Sequence, residues 1–173
     1  MPAANDHGQA TTLSVGLTGF KTVDRDTILP FSYQPEDPVG AITAFNDGIR
    51  TMQEGNKEDA ANLWNTALKL DPALLPAALN LVTYYMESEQ YELELKAWES
   101  VISYDPFNAD YLIRQAAAFV RCGLYDEAID CYERAISIYP YYKFWYFELS
   151  RLHEAQGHED EALRWKSEGE ALN

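Results

Sequence analysis

His153, Glu154 and His158 compose H-E-x-x-x-H, one residue longer than the spacing that puts two imidazoles on successive turns of a helix face for zinc, with the glutamate as base. With a spacing of five and Gly157 at an expected helix end, the rings should splay apart, and the pair reads as one interior and one polar turn histidine, with no metal site. Cys122 and Cys131 lie nine residues apart on adjacent expected helices. Neither their number nor their spacing makes a disulfide framework or a zinc site, so buried thiols in a reducing compartment are expected. No glycine-rich loop joins a strand to a helix to cradle a phosphate, and no serine or cysteine nucleophile has a base and an orienting acid in view. The remaining carboxylate pairs read as solvated helix faces. The expectation is a protein that is not an enzyme, carries no cofactor or metal, and works by recognition.

The elements that would position recognition residues are legible from a period. Pro38, Pro72, Pro106 and Pro140 recur every 34 residues, and Asp37, Asp71 and Asp105 precede the first three. A fixed period of this length belongs to stacked helix-turn-helix units, which present an extended surface to other proteins. Paired apolar stripes predict helices over about 41–54, 57–70, 74–88, 91–104, 108–122, 125–138, 141–155 and 159–171. Asp-Pro reads as a helix start, because the carboxylate caps free amides and proline suits the first helical position. Gly55, Gly123 and Gly157 recur at the turn inside their units. Residues 1–40 have no helical period, and read as an extended arm that packs along the array or onto a partner through Ile28, Leu29, Phe31 and Tyr33.

The run Gly123, Leu124, Tyr125, Asp126, Glu127, Ala128, Ile129, followed by Tyr132, Ala135 and Pro140, resembles a tetratricopeptide repeat. Residues 41–173 are similar to four of them, over 41–74, 75–108, 109–142 and 143–173. The resemblance implies an all-α fold, a right-handed superhelix of four helix-turn-helix units preceded by the N-terminal arm. It implies close helix approach at small residues, here Gly48, Ala60, Ala67, Ala116, Ala128 and Ala135, with Trp64, Tyr85, Trp98, Phe119 and Tyr132 filling the space between units. Glu94 and Val101 stand where the family prefers alanine, which predicts looser packing of the second unit. Lys166 and Gly169 replace an aromatic and an alanine in the fourth, whose acidic last helix should solvate the end of the stack.

The resemblance also places the exposed side of each unit's first helix on a concave groove. Asn46, Asn80, Arg114 and Glu148 share one position there. In peptide-binding members, asparagines at this point hydrogen-bond the backbone of an extended peptide, and an amide offers both donors and an acceptor for it. Phe45, Ile49, Leu79, Ile113 and Phe147 would form an apolar floor. Arg114, Arg121 and Arg151 face the same groove, to pair with ligand carboxylates or internally with Asp110, Glu148 and Glu154. The clamp for chaperone tails, which needs basic residues in the first unit, is not met, since Phe45 and Ile49 occupy those places. Tyr139 to Phe147 carries more rings than one helix stripe buries. Some of Tyr141, Tyr142, Phe144, Trp145, Tyr146 and Phe147 are therefore expected on the surface, as a protein interface or beneath the arm.

Composition bounds the partners. The 173 residues are the size of one domain, and 13 Lys plus Arg against 28 Asp plus Glu give a net charge of −15, which repels nucleic acid and anionic lipid. The first ten residues lack a basic start and an apolar run, and no stretch approaches the roughly 20 apolar residues of a membrane span, so a cytoplasmic location without membrane insertion is expected. The functional expectation is a scaffold or adaptor that binds an extended peptide or partner protein in the groove. The alternative is a constitutive subunit of a larger complex, attached through the arm and the aromatic patch.

Overall fold

The structure, a computed structural model, describes residues 35–172. Among them are eight α-helices and no strand: α1 (Pro38–Gln53), α2 (Lys57–Leu70), α3 (Leu75–Glu87), α4 (Tyr91–Tyr104), α5 (Ala109–Arg121), α6 (Tyr125–Ile138), α7 (Lys143–Ala155) and α8 (Glu159–Ala171). Each packs chiefly on the helix before and the helix after it in the chain. Ile28, Leu29, Phe31 and Tyr33 of the expected arm lie outside the described residues. Residues 38–40, read above as its end, form the first turn of α1.

The residue before each periodic proline adopts nearly one conformation: φ/ψ is −148°/88° at Asp37, −142°/91° at Asp71, −140°/86° at Asp105 and −128°/81° at Tyr139. The proline ring excludes the helical region for its predecessor, so a helix ends there. This corrects the reading of Asp-Pro as a helix start. Only Asp37 behaves so, its carboxylate accepting from the Gly40 amide at 2.9 Å. Asp71, Asp105 and Tyr139 instead close α2, α4 and α6, and in each case the following helix begins four residues later. There α3 carries Pro76 in its first turn, and α5 is capped by Asn108, which accepts from the Tyr111 amide at 3.3 Å.

Inside the units the chain reverses through left-handed residues: Gly55 (φ 89°), Gly123 (74°) and Gly157 (78°). In the second unit the same place holds Glu89, at φ 57°. A side chain there crowds its own carbonyl, which glycine avoids.

Close helix approach is visible at the small positions. Ala60, Ala67, Ala116, Ala128 and Ala135 are fully buried, and a β-carbon built on Gly48 would stand 2.5 Å from the indole nitrogen of Trp64. Trp64, Tyr85, Trp98 and Tyr132 are buried, while Phe119 is half-buried. One apolar cluster joins the first two units and takes in Ala118 of α5; a second joins the last two. On α8 only Ala162 and Gly169 are buried.

Glu94 and Val101 are both buried, although looser packing is expected from them. Glu94 is 1% exposed. Its Oε1 accepts from Trp98 Nε1 at 3.3 Å and pairs with the Arg121 guanidinium, which reaches back from the last turn of α5, whereas Oε2 is buried without a partner. The other units have Ala60, Ala128 and Ala162 at this place. The pair therefore ties the second unit to the third near the division between the two apolar clusters.

Three substitutions test these local accounts. Glu89→Gly is expected to stabilise the fold by about 1 kcal/mol. In thermal unfolding that is an increase in Tm of about 2–4 °C, and an unchanged or lower Tm would remove the backbone explanation. Arg121→Ala strands a buried carboxylate and is expected to cost about 3 kcal/mol in urea unfolding. Adding Glu94→Ala, which restores the residue of the other units, should recover much of that loss; a double variant no more stable than the single one contradicts the assignment.

Candidate functional site

The first helices of the four units, α1, α3, α5 and α7, carry the register positions singled out in the sequence. Asn46 and Arg114 are exposed; Asn80 and Glu148 are half-buried. Phe45, Leu79, Ile113 and Phe147 occupy one equivalent position and are all half-buried, as is Ile49. Phe45, Ile49 and Leu79 pack against the first apolar cluster and Ile113 against the second, so each gives only part of its surface to a ligand.

The three arginines separate. Arg121, 31% exposed at the side chain, is committed to Glu94. Arg151 is committed to Glu148, its Nη2 and Nε donating to Oε2 at 2.6 and 3.1 Å, and this contact holds the guanidinium pKa above its usual value. Arg114 has no ion-pair partner among the described residues, although Asp110 lies one helical turn before it. It is the arginine of the three left available to a ligand.

Rings from the Tyr139–Phe147 run divide where α7 begins. Tyr139, Tyr141 and Tyr142 stand in the turn from α6 to α7 and are exposed, Tyr141 to 85%. On the helix itself Phe144 is exposed, whereas Trp145 and Tyr146 point into the second apolar cluster. Trp145, grouped with the interface residues in the sequence, is only 7% exposed; its ring stacks at a tilt on Tyr142 with centroids 4.8 Å apart. Tyr146 donates its hydroxyl to the Pro140 carbonyl at 2.8 Å, which fixes the turn. Phe31 and Tyr33, the arm's proposed contribution, lie outside the described residues.

The two sets of residues meet in one place. An open cleft of about 890 Å³ is bounded by Ile113 and Arg114 of α5 on one side, and by Tyr139, Tyr141, Tyr142, Phe144 and Trp145 on the other. Asp105, Phe107, Asn108 and Asp110, from the turn before α5 and its start, complete the lining. Sequence reading did not find this last group. Its signal was the period itself, since Phe107 is the 34-residue counterpart of Tyr141 and Asp105 that of Tyr139. Asn46, Asn80 and the floor residues of the first two units are not part of the cleft.

The histidine pair is closer than its spacing suggests. Gly157 turns the chain so that the His158 amide donates to the His153 carbonyl at 2.9 Å, and the two rings come to lie 5.9 Å apart. Both ring nitrogens of His153 are buried without a hydrogen-bond partner, and no cluster of three metal-ligating side chains occurs among the described residues. The cysteines are free thiols. Burial pushes Cys131 up to about 12 and also raises Cys122, so neither is a ready nucleophile at neutral pH. Burial lowers the His153 pKa, followed by repulsion from His158, against the opposing pull of Glu161. A folded pKa below the unfolded one means that stability is full above the ordinary imidazole range, about 6.5, and falls as the pH drops through it. In urea unfolding between pH 7.5 and 5, His153→Phe should lose less stability than the parent chain; an equal loss in both would show that this imidazole is not the source.

Residues 109–142 match the tetratricopeptide repeat family model. The small glutamine-rich tetratricopeptide repeat-containing protein 2 of Saccharomyces cerevisiae is 32% identical over 122 residues, which are 69% of this chain and 35% of that protein. Outer envelope protein 61 of Arabidopsis thaliana is 32% identical over 102 residues, 54% of this chain and 18% of that protein. The chain thus spans about a third or less of these curated relatives. Among solved structures, a MamA crystal structure superposes with a TM-score of 0.60 at 24% identity, covering 77% of this chain and 78% of that one. A MamA AMB-1 structure gives 0.63 at 23% identity, covering 76% and 72%. With the period, the helix pairs and these matches in agreement, the chain belongs to the tetratricopeptide repeat family.

Proposed function

We propose that the chain is a non-catalytic interaction scaffold that binds an extended segment of a partner protein along the face formed by α1, α3, α5 and α7. The observation that carries this reading is the convergence of Ile113, the uncommitted Arg114 and the exposed tyrosines on one open cleft. Asn46 and Asn80 extend the same register toward the first unit with side chains able to donate to and accept from a peptide backbone. Support also comes from the repeat architecture, which presents such surfaces as a class. The net charge of −15 favours protein over nucleic acid or an anionic membrane as the partner, and a cytoplasmic location without a cofactor accords with the free thiols. No helix of the described residues is long and apolar enough to cross a membrane.

A second reading, a constitutive subunit of a larger assembly, draws on the exposure of Tyr139, Tyr141, Tyr142 and Phe144, rings that a permanent partner would cover. Affinity capture from extracts of the source cells separates these ideas. The scaffold reading expects the triple variant Asn46→Ala, Asn80→Ala, Arg114→Ala to lose its captured partner while keeping its helical circular-dichroism spectrum. Undiminished capture would turn attention from this face to the subunit reading, which requires the native protein to elute with a complex in size exclusion.

A further inference from the structure

The aromatic cleft is more specific than a general docking face. Phe107 and Tyr141 are exposed rings at equivalent positions of the third and fourth units, whereas the first two units have Val39 and Ala73 there. Among the described residues, therefore, rings stand at this position only in the third and fourth units, where α5 and α7 begin. Their faces carry negative partial charge, which attracts a cation held over them. Two carboxylates lie among them. Asp105 uses Oδ2 to accept from Asn108 Nδ2 at 3.2 Å, which leaves Oδ1 open, and Asp110 is exposed with no ion-pair partner among the described residues.

We propose that this cleft takes a cationic extended peptide, whose arginine or lysine side chain lies over the Phe107, Tyr141 and Phe144 rings and reaches the carboxylates of Asp105 and Asp110. The inference rests on the scaffold reading and names the chemistry of its partner. An open volume of about 890 Å³ accommodates several residues of extended chain. Arg114, the only cation among the lining residues, is suited to a peptide carbonyl, which any sequence supplies. The surplus of 28 acids over 13 bases draws a cationic segment toward the protein and disfavours an acidic one, so charge complementarity selects between the two.

Fluorescence anisotropy with the full chain tests this, using labelled octapeptides in which proline alternates with arginine, glutamine or glutamate. The arginine peptide is expected to bind at least about tenfold more tightly than the glutamine one. Asp105→Asn with Asp110→Asn, and separately Tyr141→Ala with Phe144→Ala, should each weaken it by about tenfold or more. Glu159→Gln with Asp160→Asn removes the same charge from α8, and should change binding less than about twofold if the carboxylates act locally. The proposal is overturned by no binding of the arginine peptide, by no preference for it, by a preference for glutamate, or by an α8 variant as weak as the cleft variant. If any peptide binds in a manner abolished by Asn46→Ala with Asn80→Ala but not by the cleft variants, the scaffold reading survives and the cationic assignment fails. If the arginine peptide binds as expected while the triple variant of the preceding section keeps its captured partner, the cleft assignment stands and the groove reading fails.

Discussion

The clash between a proline ring and the residue before it is the constraint on which this architecture depends. It acts four times at one interval, and each time the preceding backbone takes the same extended conformation to within about 20°. Three helices are stopped at the same point of their units, and the turn that follows has a similar length in each. Equal units follow from equal stops. Once the helices are cut to matched lengths, a side chain at one register finds its counterpart in the next unit, and a binding surface can be assembled from single residues of successive helices.

Side-chain volume then decides how closely the helices approach. Where alanine or glycine occupies the contact, as at Ala60, Ala67, Ala128 and Ala135, bulky neighbours such as Trp64 and Tyr132 fill the remaining space. Gly48 is the extreme case, since even a methyl group would press on Trp64. At the last joint the fourth unit has Gly169, where an added carbon would lie 2.9 Å from the Tyr146 β-carbon. This tight α7–α8 contact holds Tyr146, whose hydroxyl anchors the turn carrying the exposed tyrosines. The aromatic rim is thus set by packing on the far side of the same helix.

Much of this was readable from residue order. The helix boundaries follow from apolar spacing to within about three residues, because burial on one face imposes that spacing directly. Features that depend on a partner distant in the chain were harder to see. The role of Asp-Pro turned on whether a helix precedes it, which the dipeptide itself does not state. Trp145 was read as surface because the number of rings exceeds one stripe, but which ring faces inward depends on α7 starting at Lys143. The histidine rings meet through a backbone reversal, not along a helix face, so counting residues misjudged their separation. Arg121 looked available for a ligand, and only its position beside a buried acid 27 residues away shows that it is already used. The cleft escaped notice because it joins residues of α5 and α7 to two turns 34 positions apart, and neither turn has a helical pattern to mark it.

In a linear stack every element answers only to its neighbours, and such a chain can come apart at whichever joint is weakest. Here the apolar interior is divided between the second and third units, and Glu94 with Arg121 spans that division. Ala118 of α5 and the Trp98–Tyr111 ring contact, at 6.5 Å, cross it as well. The consequence concerns cooperativity. These contacts add an interface energy between the two halves, which links the folding of one to that of the other. A carboxylate that breaks the small-residue pattern in the second unit thereby links the units that carry Asn46 and Asn80 to those that bound the aromatic cleft.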